Sequence, residues 1–192
     1  MPNEPANASK AELRRLFRQR RHQLLTTTAA GLQQSALADL PALLSGGGRL
    51  GLYWPLPGEV DLLGLAEEPQ LRGRLALPRV QQNALHYQSW RRGDALASDA
   101  TGIPAPAAGE ALPPGELALI LAPALAFDRR GIRLGYGGGW FDRLRSQPAW
   151  RRVPALAVLP QACLLEQLPA DPWDVPFDGW LDERGVHWLQ PV

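Results

Sequence analysis

From Lys10 to about Leu25 the chain repeats at helical spacing, with Leu13, Leu16, Phe17 and Leu24 on one face and Lys10, Arg14, Arg18 and Arg21 along another. Thr26-Thr27-Thr28 suits a cap, so a second helix is predicted from Ala29 to Leu44, ended by Gly46-Gly47-Gly48. The pattern then shortens. Arg49 to Trp54 predicts a strand, Pro55 to Gly58 a turn, and Val60 to Arg72 a short helix with Asp61 as its cap. Further strands are expected at Arg74 to Pro78 and Leu85 to Trp90. Ala100 to Gly115, rich in Pro, Gly and Ala, reads as loop. Leu117 to Ala122 is an unbroken apolar run, the mark of a strand buried on both faces. Pro123 to Gly139 reads as a long loop, Trp140 to Ser146 as a short helix, and Val153 to Leu159 as another buried strand. Strand-like pieces follow near Trp180 and His187.

Strands separated by helices and crossovers predict a three-layer α/β/α fold with a largely parallel sheet, preceded by N-terminal helices. At 192 residues a single domain is expected, with residues 1–9 as a flexible tail and 10–192 as the folded unit. Ligands in such folds bind beyond the carboxyl ends of the strands.

Composition narrows the setting. No apolar run is long enough to cross a membrane, the opening residues lack a secretory leader, and one cysteine, Cys163, builds neither a disulfide nor a cysteine zinc site. A cytoplasmic protein is expected. The net charge of +1 hides an asymmetry, because the first 25 residues carry +4 and the remainder −3. Against 19 arginines there is one lysine, Lys10. Either chance or a need for a compact ammonium keeps it there.

Two segments beyond predicted strand ends carry candidate chemistry. Arg133 to Arg143 (RLGYGGGWFDR) holds Gly135, Gly137, Gly138 and Gly139 between arginines. Glycines let successive amides close on an anion, and the helix starting near Trp140 would add its positive end, so the segment reads as a phosphate cradle or as a flexible glycine turn. It matches neither a Walker A loop nor a dinucleotide fingerprint. Asp142 reads as a magnesium ligand or as an acid at a helix start. In Gly58-Glu59-Val60-Asp61, Glu59 can accept hydrogen bonds from a ligand's N–H groups, or it is an exposed loop acid. Trp54, Trp140 and Phe141 can wall a flat ligand or simply pack. The basic helix can bind triphosphate or nucleic acid, or face water, but no aromatics are interleaved on its basic side. The histidines lack metal-ligand spacing.

Together these segments resemble the 5-formyltetrahydrofolate cyclo-ligase (5,10-methenyltetrahydrofolate synthetase) family from Lys10 to about Asp182. The matching segments are the K-x-x-x-R of Lys10 and Arg14, the G-E-V-D of Gly58 to Asp61, and the L-P-R-V of Leu77 to Val80. To these are added the glycine signature from Asp128 through Gly131 and Arg133 to Arg143, and a tail at Leu168 to Asp178. The resemblance implies cyclisation of 5-formyltetrahydrofolate to 5,10-methenyltetrahydrofolate, with ATP cleaved to ADP and phosphate and Mg2+ required. Lys10 and Arg14 would hold ATP phosphates, and Arg133, Leu134, Gly135, Tyr136, Gly137, Gly138, Gly139, Trp140 and Phe141 would wrap them, with Arg133 catalytic at the transferred group. Asp142 and Asp174 would serve magnesium. Glu59 would bind the pterin, walled by Trp54 and Phe141. A monomer acting on a reduced folate is expected, without nucleic acid or membrane partners. The alternatives are an ATP-dependent enzyme activating another amide or carboxylate, and a nucleic-acid-binding protein using the basic helix. The chain departs from the family pattern at Trp140 and Phe141, where paired tyrosines are usual, at Thr101 and Ala105, and at Trp173 in place of a tail histidine.

Overall fold

The computed structural model describes residues 8–189, so most of the expected tail, residues 1–7, lies outside the described residues. Helix α1 (Lys10–Leu43) opens the fold. Strands β1 (Arg49–Gly51), β2 (Leu75–Gln81) and β3 (Ala84–Trp90) follow, then a small hairpin, β4 (Leu96–Ser98) and β5 (Pro104–Pro106). Next come β6 (Leu117–Pro123), β7 (Ala126–Asp128), β8 (Arg133–Leu134), and helices α2 (Trp140–Arg145) and α3 (Pro148–Arg151). Strands β9 (Ala155–Val158), β10 (Leu164–Leu165), β11 (Gly179–Asp182) and β12 (Gly185–Trp188) complete the order. The main sheet runs β12-β11-β9-β6-β1-β2-β3. Its inner pairings are parallel, and only the two edge strands, β12 and β3, pair antiparallel. The expected α/β architecture with a largely parallel sheet is the one observed.

Alternation along the strands feeds a core on each face. Ala76, Tyr87, Ile120, Ala122, Ala155 and Ala157 point to one core, shared with Phe127, Leu144 and Trp150. Leu75, Leu77, Leu119, Leu121, Leu156 and Val158 point to the other. At Gly51 a Cβ would lie 2.8 Å from the Tyr87 ring, so this strand approaches the aromatic side chain as only glycine permits.

The two predicted N-terminal helices are one helix of 34 residues. A capping box starts it, with the Ser9 hydroxyl accepting from the Glu12 amide and the Glu12 carboxylate accepting from the Ser9 amide. The threonines cap nothing. Thr26 donates its hydroxyl to the Gln23 carbonyl, and Thr27 and Thr28 donate to that of Leu24, so their hydroxyls are satisfied within a continuous helix. The first half of α1 contributes Leu13 and Phe17 to one core, and the second half contributes Leu32, Ala36 and Leu40 to the other. Leu16, expected on the apolar face, is 44% exposed.

Other boundaries shift. The predicted helix from Val60 to Arg72 shrinks to one 3-10 segment, Leu63–Glu67, whose N-cap is Leu62 rather than Asp61; Asp61, one residue earlier, accepts from the Leu63 amide in a local turn. The loops expected at 100–115 and 123–139 contain β5 and the β7-β8 hairpin. The buried Asp128 carboxylate holds that hairpin by accepting from the amides of Arg130 and Ile132, and it also accepts from the distant Leu168 amide.

Gly179 begins β11 opposite Trp188 of its antiparallel neighbour β12, and a Cβ there would sit 2.1 Å from the His187 carbonyl oxygen. Gly179→Ala is therefore expected to destabilise the fold by about 2–4 kcal/mol, because backbone rather than a mobile side chain must give way. Chemical denaturation checks this; an unchanged midpoint would contradict it.

Candidate functional site

The carboxyl ends of β1, β2 and β6 open into a cavity of about 290 Å3. Its lining includes every residue to which the family resemblance gives a binding, catalytic or metal role: Lys10, Arg14, Trp54, Glu59, the run from Arg133 through Asp142, and Asp174. These come from five places along the chain, so the assembly depends on the sheet rather than on any local segment.

The glycine segment leaves β8 and turns across the cavity. Gly137 and Gly139 take positive φ values of 106° and 65°, and Gly139 precedes α2 in the left-handed conformation. At Gly135 a Cβ would fall 2.8 Å from Arg133 Nη1, so the missing side chain is what leaves room for that guanidinium. Arg14 Nε donates to the Gly135 carbonyl at 3.0 Å, tying α1 to the segment. With six residues, α2 aligns few peptide dipoles, so the positive potential comes chiefly from the side chains.

Arg133 is nearly buried. Its Nη1 donates to the Pro123 carbonyl at 3.0 Å, and its guanidinium lies over the rings of Phe141 and Phe177 at 5.1 and 5.2 Å. Asp142 Oδ2 is 3.8 Å from Arg133 Nη2. Burial lowers the pKa of Arg133, opposed by Asp142 and Glu59, but a guanidinium stays charged in a protein. Lys10 bonds two carboxylates, Asp171 at 2.6 Å and Asp174 closer still. Burial works against the ammonium, yet these partners raise its pKa overall. Asp174 also accepts from the Asp171 amide at 2.7 Å.

Glu59 is a buried acid, with 1% of its side chain exposed, and not an exposed loop residue. Positive φ at Gly58 closes the turn, Oε2 accepts from the Leu56 amide at 2.9 Å, and Oε1 has no hydrogen-bond partner. Burial pushes its carboxyl up to about 7, against the downward pull of the Leu56 amide and of Arg21 and Arg133. A cavity-lining carboxyl with one unsatisfied oxygen is suited to a ligand bearing N–H donors.

The cavity also takes in residues the sequence did not reveal, including Tyr53, Val80, Asp99, Ile103 and Asp171. Asp171 had one available signal, its three-residue spacing to Asp174. The apolar members carry no chemical signature. Of the departing positions, Thr101 and Trp173 line the cavity, and Trp173 stands 69% exposed at its rim. Ala105 is buried in β5 away from the cavity lining. Much of the basic face of α1 turns inward, since Lys10 and Arg14 line the cavity and Arg21 is buried. No helix among the described residues is long and apolar enough to cross a membrane.

Comparison with known proteins agrees with this geometry. The 5-formyltetrahydrofolate cyclo-ligase family profile matches residues 6–182. The 5-formyltetrahydrofolate cyclo-ligase of Mycolicibacterium smegmatis is 32% identical over 93% of this chain and 96% of its own. The NMR structure of Aquifex aeolicus 5,10-methenyltetrahydrofolate synthetase superposes with a TM-score of 0.74 at 31% identity, covering 95% of this chain and 94% of the other. The fold is also that of a Mycoplasma pneumoniae 5,10-methenyltetrahydrofolate synthetase, at a TM-score of 0.67 and 21% identity over 92% and 99% of the two chains. Matched along nearly its full length by these ligases, the α/β chain belongs to the 5-formyltetrahydrofolate cyclo-ligase family.

Proposed function

We propose that this chain cyclises 5-formyltetrahydrofolate to 5,10-methenyltetrahydrofolate while cleaving ATP to ADP and phosphate. The observation that carries the reading is the meeting, in one cavity, of three cationic side chains and a glycine cradle with a buried, half-satisfied carboxylate. The first group suits a triphosphate and the second a pterin ring with its N–H donors.

A formamide oxygen is a poor leaving group. In the proposed reaction the formyl oxygen attacks the γ-phosphate, ADP leaves, and a phosphorylated imidate forms. The neighbouring folate nitrogen adds to the activated carbon, loses its proton late, and phosphate departs as the ring closes. The protein's share is positioning and charge neutralisation. Lys10, Arg14 and residues 133–141 hold the phosphates, with Arg133 at the transferred group. Glu59 orients the pterin between Trp54 and Phe141. The folate wall keeps its stacking surfaces but lacks the tyrosine hydroxyls at positions 140 and 141.

Among the described residues, no three His, Cys, Asp or Glu side chains converge as a ready metal site. That suits magnesium, which typically arrives on nucleotide phosphates and takes only one or two carboxylates. Asp142 and Asp174 are the proposed ligands, and the ion would neutralise charge on the phosphates. Asp174 now balances Lys10, so phosphate and metal together would take up the two charges that this pair holds. The proposed acting unit is a monomer. Its proposed setting, where ATP is available, is the cytoplasm.

Purified protein mixed with 5-formyltetrahydrofolate, magnesium and ATP is expected to produce the near-ultraviolet absorbance of the methenyl product, and none without ATP. Absence of product with ATP still bound would overturn the folate assignment and point to another amide or carboxylate.

A further inference from the structure

Arg21 lies outside the cavity lining, on the fourth turn of α1, and is 3% exposed. A buried arginine is costly unless its donors are used. Its Nη1 donates to the Ala124 carbonyl at 2.9 Å, just past the end of β6. Its Nη2 donates to the Tyr136 hydroxyl and lies 4.0 Å from Glu59 Oε1. The Tyr136 ring is flanked by two guanidinium groups, Arg18 at 5.3 Å and Arg21 at 5.2 Å. One side chain therefore reaches the glycine segment through Tyr136 and the unsatisfied oxygen of Glu59 with the same nitrogen.

We propose that Arg21 is a positioning residue that couples the two halves of the site, so that nucleotide and folate each tighten the binding of the other. The inference rests on the proposed cyclo-ligase reading, in which Tyr136 belongs to the phosphate cradle and Glu59 to the folate site. Phosphates settling on residues 133–141 bear on Tyr136, whose hydroxyl shares Nη2 with Glu59. An arrangement of Arg21 that satisfies Tyr136 also sets the distance of a cation from Glu59, and the pterin donors compete for that same Glu59 oxygen. Tyr136 ordered by a phosphate fixes the guanidinium, and Glu59 is then held for the pterin. By linkage the effect is reciprocal.

The test is a binding cycle by calorimetry, with 5-formyltetrahydrofolate titrated alone and with a saturating non-hydrolysable ATP analogue plus magnesium. Wild-type protein is expected to bind folate at least about fivefold tighter with the analogue, the lower end of ordinary coupling. Tyr136→Phe removes one hydroxyl and no packing volume, and Arg21→Met removes the bridge. Both are expected to bring the ratio near one, and Arg21→Lys, which keeps the charge but not the fork, to restore only part of it. Titration in the reverse order must give the same ratio. If Arg21→Met does not fold, Tyr136→Phe decides. Wild-type protein that binds both ligands without synergy, or Tyr136→Phe with the full ratio, would overturn the coupling alone. Wild-type protein that binds neither ligand would overturn the cyclo-ligase reading, and the coupling with it.

Discussion

Arg133→Ala is expected to lower kcat by about 10³-fold while folate still binds, because a buried cation facing the transferring phosphoryl group acts mainly where charge develops. The geometry makes this the largest single effect. Arg133 is fixed by the Pro123 carbonyl and held over two phenylalanine rings, so its charge is positioned before any substrate arrives. Truncation also removes packing against Phe141 and Phe177. Arg133→Lys, which keeps a cation with less loss of volume, is expected to recover a fraction of the rate and nearly all of the thermal stability. Steady-state kinetics and folate titration check both variants. Turnover equal to wild type in Arg133→Ala would remove Arg133 from the mechanism.

Glu59→Gln is expected to weaken folate at least tenfold and to leave ATP binding intact. The amide keeps the shape but loses the charge that, in the proposed reading, accepts from the pterin donors, and the loss of a charged hydrogen bond in a buried site is of this size. A second signature follows from its carboxyl being held at about 7. The carboxylate is the binding form, so folate affinity rises with pH and levels off above 7. It should be about tenfold weaker at pH 6 than at pH 8, as one proton must be released on binding. The charged groups facing this carboxyl are Arg21 from α1 and Arg133 from β8, with Tyr53 behind it. In the ligand-free fold the sign is opposite to that of a salt-bridged acid. Between the unfolded value of 4.5 and about 7 the native chain keeps a proton the unfolded chain gives up, so this residue lowers stability as pH rises. Glu59→Gln should flatten both profiles. A flat wild-type affinity profile, or loss of ATP binding in the variant, would reverse the assignment of the two pockets.

The site was more legible than the helices around it. Lys10, Arg14, Glu59 and the glycine segment carry side chains or spacings that few other chemistries use together, and all of them reach the cavity. The central sheet was legible too, since Leu117 to Ala122 has no polar position to suggest another fate. Arg21 escaped notice because its importance is tertiary. Along the chain it is one more cation in a basic run, and only the approach of Ala124, Tyr136 and Glu59 separates it from Arg20 or Arg15. The threonine triplet misled for a related reason. Its hydroxyls bond equally well to a carbonyl one turn back or to an amide at a helix start, and the pattern does not say which.

The continuous α1 acts as a ruler between two cores. Its second half is seated by Leu32, Ala36 and Leu40, and Asp39 accepts from the Val186 amide at 2.8 Å, while its first half carries Lys10 and Arg14 to the cavity and Arg21 against Tyr136 and Glu59. Each helical residue advances the axis by about 1.5 Å and turns it by about 100°. Removing one residue from the stretch between the halves would swing all three cations out of phase with the glycine segment, although Thr26 and Thr27 are exposed and touch neither core. Exposed positions such as Thr26 and Thr27 can change among helix-forming residues, but the length of the stretch cannot, so a single-codon deletion there would do more harm than such an exchange.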